Sequence, residues 1–297
     1  MKIKDFNNCT ENMLTYGGHA GAKLGIIIDG ENWFLKFPKS TRTLRKKVDM
    51  SYSTSPLSEY IGSHIYESID IPVHKTMLGI RDNKLVVACK DFRNDISKIT
   101  FEDYNSIYNI YVSGLDEKLS SITSSSNHTV DLNEIMIIME NNPRFINTKG
   151  LKDRFWDMFI VDALIGNNDR NNGNWGVLIN NDTKKIEIAP VFDNGASFGN
   201  NTDDLKIEKI LSDKEKFENS AYLSRICAFS INDKIINPFK YIESLENDEC
   251  NKALLRMVPK IDLSKIYDII NDIPNEYEGI KVISDIRKKY YFECIKY

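Results

Sequence analysis

The feature that most limits the fold is a change of pattern between residues 151 and 195. Leu151, Phe155, Phe159, Ala163 and Leu164 recur at a spacing that buries one face of a helix, and Gly166 then ends it. Residues 167–174 read Asn-Asn-Asp-Arg-Asn-Asn-Gly-Asn, a loop full of side-chain oxygens and amides. Two β-rich runs, residues 175–179 and 185–189, then flank an Asn180-Asn181-Asp182 turn and predict a hairpin. Val191-Phe192-Asp193-Asn194-Gly195 comes next. A buried helix, a polar loop and a hairpin in this order demand a mixed α and β domain with the loop held at the element ends.

The polar residues in this stretch have a usable order: Asp169, then Asn174 five positions on, then Asp193 beyond the hairpin. Any one of them is explained by turn chemistry, because Asn and Asp satisfy local backbone groups. Together they match what phosphoryl transfer needs. A carboxylate must orient and deprotonate the attacking hydroxyl, and oxygen ligands must hold Mg²⁺ against the phosphates. Asp169 suits the first role, and Asn174 and Asp193 suit the second.

The first 90 or so residues read as strand-rich. Residues 24–28 and 33–37 predict a hairpin around Asp29-Gly30-Glu31-Asn32, and residues 58–68 an amphipathic helix. Residues 73–80 and 85–89 return to strand pattern. Gly17-Gly18-His19-Ala20-Gly21-Ala22-Lys23 precedes the first hairpin strand, and glycines such as Gly18 and Gly21 let main chain approach phosphates closely. Lys36, at the end of the next strand, can meet them as a fixed cation. Glu59 is the natural carboxylate to pair with Lys36, with Glu67 as competitor. Residues 86–91 connect to the second half, where the Ala88 carbonyl and the Lys90 amide are the expected adenine contacts. Beyond Asp91 the pattern turns to longer helices, broken by a Ser-rich loop at residues 120–127. The expected fold is α+β and bilobal, with a strand-rich lobe at residues 1–90 and a mainly helical one at 91–297.

A formal net charge of −4 and a pI of about 5.7 give no overall field to gather nucleic acid or anionic membrane. The local basic run Arg42, Arg45, Lys46 and Lys47 reads as a solvated loop or a docking patch. Five cysteines (Cys9, Cys89, Cys227, Cys250 and Cys294) have no Cys-x-x-Cys spacing, and only four histidines are present, so reduced structural thiols fit better than a metal cluster. The N-terminus lacks the apolar core of a signal peptide, and the apolar run at residues 135–139 is far short of a membrane span. A cytoplasmic protein is expected, with export by a signal-less route left open.

The run Leu164-Ile165-Gly166-Asn167-Asn168-Asp169-Arg170, then Asn174, then Ala189-Pro190-Val191-Phe192-Asp193, resembles the HipA-like serine/threonine protein kinases, including compact members without the extra N-terminal subdomain. Ala20-Gly21-Ala22 and Lys36-Phe37-Pro38 match the same family. The resemblance covers about residues 15–200. It implies ATP and Mg²⁺ as cofactors, Asp169 as catalytic base, Asn174 and Asp193 as metal ligands, and Lys36 as the phosphate-binding lysine. It also implies a protein substrate with a serine or threonine acceptor and a small antitoxin-like inhibitor, in a toxin or an effector. Two departures stand out. Asn171 occupies a place where many relatives carry histidine, and Gly18 one where some carry a regulatory serine. Self-modification is therefore expected elsewhere, first at Ser197 or Thr202 and otherwise in the serine-rich loops at 51–58 and 120–126. A kinase acting on phosphoinositides or small molecules, and an inactive nucleotide-binding scaffold, are the alternative readings.

Overall fold

The computed structural model describes residues 1–16, 22–44, 47–93, 95–113 and 130–297. Gly18, Gly21, Arg45, Lys46 and the serine-rich run at 120–127 lie outside these residues.

The N-terminal part is one curled six-stranded sheet in the order β1-β5-β6-β4-β3-β2. Its strands are β1 (Lys4–Asp5), β2 (Thr10–Glu11), β3 (Lys23–Ile28), β4 (Glu31–Lys36), β5 (Thr76–Arg81) and β6 (Lys84–Lys90). Neighbours are antiparallel except β1 and β5. The predicted hairpin β3–β4 and a second one, β5–β6, close through two-residue turns, Asp29-Gly30 and Asp82-Asn83, with positive φ at both residues of each. Such turns match the right-handed twist of the strands they join, and Asp, Asn and Gly tolerate that backbone. Between β4 and β5 runs α1 (Ser55–Ser68), which begins one turn earlier than expected because Pro56 suits the first helical turn.

After β6 come β7 (Ile99–Asp103), α2 (Tyr104–Ser113), β8 (Val130–Asp131), α3 (Leu132–Asn141), α4 (Pro143–Ile146) and α5 (Leu151–Ile165). The hairpin β9 (Gly176–Asn180) and β10 (Ile186–Ile188) pairs with β7. The helices α6 (Asp204–Leu211) and α7 (Lys214–Glu218) precede the strands β11 (Phe229–Ile231) and β12 (Lys234–Ile235). Of these, β11 pairs with both β12 and β8. Four helices close the chain around the small hairpin β13 (Glu276–Tyr277) and β14 (Ile280–Lys281): α8 (Pro238–Ser244), α9 (Asp248–Met257), α10 (Leu263–Asn271) and α11 (Asp285–Lys296). No described helix is long and apolar enough to cross a membrane. All five cysteines are free, and four are buried.

The core shows how the halves are joined. One face of the sheet has its own small cluster of Phe6, Ile26, Trp33, Leu35, Val86 and Ala88. The other face joins a single large core that runs from Leu57, Ile61 and Ile65 of α1 through Leu78 and Val87 into Phe155, Phe159 and Ile165 of α5. The chain changes character near residue 90, yet α1 packs on both the sheet and the helical part.

Packing of α1 against the loop after β10 is close enough to need glycine. A Cβ at Gly62 would lie 2.9 Å from the Asn194 Cβ and 3.3 Å from Ile165 Cδ1. Carbon atoms do not approach that closely without something moving.

Candidate active site

Three elements converge on Glu59, which is fully buried on α1. Lys36, the last residue of β4, donates its ammonium to Glu59 Oε2, and the same ammonium lies 2.6 Å from Asp193 Oδ1. His74 Nε2 is 2.9 Å from Glu59 Oε1, and the main-chain N–H of Asn194 donates to that same oxygen at 2.9 Å. Burial by itself would raise the Glu59 pKa, but the Lys36 ammonium and the His74 contact hold it well below the ordinary carboxylate range. Burial likewise disfavours the Lys36 cation, and Asp193 with Glu59 outweigh it, so the Lys36 pKa rises above that of an ordinary lysine. Glu67, the competing carboxylate, takes no part. Asp193 reaches Lys36 from a left-handed backbone, φ 58°, a conformation Asp adopts at little cost.

The polar loop after α5 is held by buried charge. Gly166 ends the helix in the left-handed conformation, φ 65°. Arg170, 1% exposed, turns inward and pairs with both oxygens of Asp162 on α5 at 2.8 and 3.0 Å. Its Nη1 donates to the carbonyls of Asn174 and Phe192, and Nη2, besides serving Asp162, donates to Asn194 Oδ1 at 2.6 Å. One side chain thus ties the helix, the loop carrying Asp169 and the segment carrying Asp193. Asp162 also accepts from Tyr66 of α1 at 2.8 Å and from Asn167, whose own oxygen accepts the Asp169 N–H. Asn194 completes the ring by donating to Ser63 of α1 at 3.0 Å.

Asp169 stands at the partly exposed edge of this frame. Asn171 Nδ2 donates to its Oδ1 at 2.9 Å, while Asn171 Oδ1 accepts from the Gly173 N–H. Asn171 therefore orients the Asp169 carboxylate by hydrogen bonding. Asn174 Nδ2 donates to the Asp169 carbonyl at 2.6 Å, which leaves its carboxamide oxygen as the atom available to a ligand. Asp193, with one oxygen on Lys36, keeps its second oxygen for the same use. Carboxylate and carboxamide oxygens are the donors that Mg²⁺ prefers, so this set fits that ion. The buried trio Glu59, His74 and Cys89 gathers three potential ligand atoms within 4.8 Å of one another, yet it does not fit a metal. The Glu59 oxygens are committed, and burial, followed by the Glu59 charge, pushes the Cys89 thiol well above its usual range.

The expected adenine contacts are corrected. Ala88 lies inside the sheet, flanked by Leu35 on β4 and Met77 on β5, so its main chain serves the ladder. The Lys90 N–H donates to the Lys75 carbonyl and the Asp91 N–H to the Asn32 carbonyl. Main chain leaves the ladder only there, so the connecting segment that can meet a base lies from the Lys90 carbonyl to Phe92. Ser197, expected on an accessible loop, is fully buried: its N–H donates to the Asn194 carbonyl and its own carbonyl accepts from Ser58. Thr202 remains partly exposed. Residues that sequence reasoning passed over are Asp162, Arg170, Asn194 and His74. Lys23 was passed over too. It sits opposite Lys36 in the ladder, and burial together with that neighbouring charge lowers its pKa.

The HipA-like C-terminal domain model matches residues 17–241 of the chain. A serine/threonine-protein kinase named CtkA, from Helicobacter pylori, is 34% identical over 292 residues, which is 98% of this chain and 83% of that protein. The crystal structure of a proinflammatory kinase CtkA from Helicobacter pylori superposes with a TM-score of 0.84 at 32% identity, covering 99% of this chain and 94% of that one. HipA from Shewanella oneidensis, solved with HipB and operator DNA, shares the fold at a TM-score of 0.54 and 13% identity, over 98% of this chain and 65% of that one. With a family model matched across both the sheet and the helical part, and a relative aligned over nearly its whole length, the chain belongs to the HipA-like family.

Proposed function

We infer that the chain is an ATP-dependent serine/threonine protein kinase of the HipA-like type. The observation that carries this reading is the convergence of Lys36, Glu59 and Asp193 from three distant parts of the chain, beside a loop that presents Asp169 and Asn174. In this reading Lys36 holds the nucleotide phosphates, with Glu59 fixing its position. Asn174 and Asp193 would hold a divalent metal, which when bound neutralises phosphate charge. Asp169 takes the proton of the attacking serine or threonine hydroxyl, with Asn171 keeping the receiving carboxylate in orientation. The segment from Lys90 to Phe92 receives the adenine; Gly18 and Gly21, the glycines expected near the phosphates, lie outside the described residues.

The acceptor is a protein hydroxyl, as the name of the Helicobacter relative suggests for that protein. The Shewanella HipA was solved with a partner protein, and a small inhibitory partner of this kind fits the present chain. The acidic net charge favours no direct nucleic-acid contact, and a cytoplasmic site of action belongs to the same reading. For self-modification, Thr202 replaces the buried Ser197 as first choice.

The test is transfer of labelled phosphate from MgATP to casein and to mixed phosphoinositide vesicles, with wild type, Asp169→Asn and Asp193→Ala. Protein labelling by wild type that falls about 10²- to 10⁴-fold in Asp169→Asn is expected. Asp193→Ala should in addition lose the Mg²⁺ dependence of ATP binding in calorimetry. Labelling of lipid alone would overturn the protein-kinase reading, and equal activity in Asp169→Asn would remove that residue from its role.

A further inference from the structure

The Lys36–Glu59 pair accounts for one oxygen of Glu59, and the other is held by a residue with no part in the reading above. His74 lies in the short extended stretch before β5 and is 3% exposed. That stretch is pinned to the segment leading into Asp193. The Val191 N–H donates to the Pro72 carbonyl, the His74 N–H donates to the Val191 carbonyl, and Val73 bridges Val191 in parallel. The imidazole then reaches back to α1, with Nε2 2.9 Å from Glu59 Oε1. His74 Nδ1 is buried and has no hydrogen-bond partner. A bare ring nitrogen in such a place is tolerable as a lone pair and costly as an N–H, so the proton belongs on Nε2, where it is donated to Glu59.

We propose that His74 is a positioning residue for phosphoryl transfer: it carries the placement of the Asp193 segment to Glu59, and through Glu59 to Lys36. The proposal rests on the kinase reading of the site. Two donors on Oε1, the Asn194 N–H and His74, fix the orientation of the carboxylate whose Oε2 accepts from Lys36. Both donors come from segments bonded to residues 191–194, so α1 and the metal-binding segment are registered to each other through a single carboxylate. Loss of the imidazole donor leaves Glu59 held on that oxygen by the Asn194 N–H alone. The carboxylate can then rotate, and the lysine loses the fixed direction that transition-state stabilisation requires.

The substitutions are His74→Gln, whose amide nitrogen can occupy the Nε2 position, and His74→Phe, which keeps a ring without a donor. Transfer to casein from MgATP should fall at least tenfold in His74→Phe, chiefly in kcat, and stay within about threefold of wild type in His74→Gln. In a Lys36→Met background, His74→Phe should cause no further loss, because the two residues act along one line. Where thermal unfolding shows that His74→Phe does not fold, His74→Asn takes its place in the cycle, its shorter amide falling short of Glu59. A ¹⁵N spectrum of histidine-labelled protein should show His74 as the Nε2–H tautomer, shifting on Glu59→Gln. Equal loss in the Gln and Phe variants, or multiplying losses with Lys36→Met, would overturn the proposal. So would an Nδ1–H tautomer, which is read without any activity. Failure of wild type to label casein at all would instead count against the kinase reading.

Discussion

Two buried clusters of charge lie side by side in this protein, and they are built differently. Around Arg170 every partner is protein: both Asp162 oxygens, two carbonyls and the Asn194 amide close the network, and the guanidinium sees no solvent. Around Lys36 the cluster is open on one side. Glu59 is fully buried, but the Asp193 side chain is 18% exposed and keeps one oxygen uncommitted. The closed cluster joins α5, the loop carrying Asp169 and the segment after β10 into one frame. The open one places a cation and a carboxylate on that frame where a charged ligand can exchange with them. Rigidity and exchange are thus assigned to different side chains.

Breaking the closed cluster should have the largest effect. Arg170→Met leaves Asp162 as a buried, uncompensated carboxylate, and urea unfolding should report a loss of about 3–5 kcal/mol. That is a large part of the stability of a typical domain. A loss under about 1 kcal/mol would show that the network is not the frame described.

The open cluster should respond in activity more than in folding. Lys36→Met is expected to reduce phosphoryl transfer about 10²- to 10³-fold, as removal of a positioned charge in an active site does. Its unfolding free energy should fall less than that of Arg170→Met, because Glu59 keeps the Asn194 N–H and His74 on its other oxygen, and water and a cation can reach Asp193. Equal destabilisation of the two variants would erase the distinction between open and closed.

Acid sharpens the comparison further. The folded-state pKa of Glu59 is depressed by Lys36 and His74 relative to its ordinary value near 4.5. A depressed carboxylate contributes stability that is present above that ordinary value and is lost as pH falls below it. The stability of wild type should therefore drop as pH falls from about 4.5, and that slope should flatten in Glu59→Gln. The smallest effect belongs to the edge of the frame. Asn171→Ala removes one hydrogen bond to Asp169, worth about 1 kcal/mol, or roughly a fivefold loss of activity with unchanged folding.

Much of this could be read from the chain alone, for local reasons. The helix at Leu151–Ile165 declares itself through its periodic apolar residues and its terminal glycine, and the first N-terminal hairpin through its Asp29-Gly30 turn. Lys36, Glu59 and Asp193 were recognisable because their order along the chain repeats a known arrangement, and the structure brings them together. That the Ala88 and Lys90 main-chain groups are taken up by the sheet was not legible, because whether a main-chain group is free depends on neighbouring strands, β4 and β5, that lie elsewhere in the sequence. The same applies to β7 and β8, short strands whose partners are β9 and β11. Arg170 stood in the motif without a role and His74 was not singled out, because charged and polar side chains are usually exposed. Nothing near them announces that their partners wait on α1, α5 and the segment after β10.

Gly62 bears on how such an enzyme could be lost. Because α1 rests on Asn194 with no room for a side chain, a change from glycine to alanine adds a single methyl group that must push the helix and the loop apart. Glu59 rides on that helix and accepts the main-chain N–H of Asn194, so the same methyl would unsettle it without removing any polar group. Glycine and alanine codons differ by one base. A lineage could therefore retire the activity in one mutational step while its protein kept its surface, and with it any partner that recognises the surface alone.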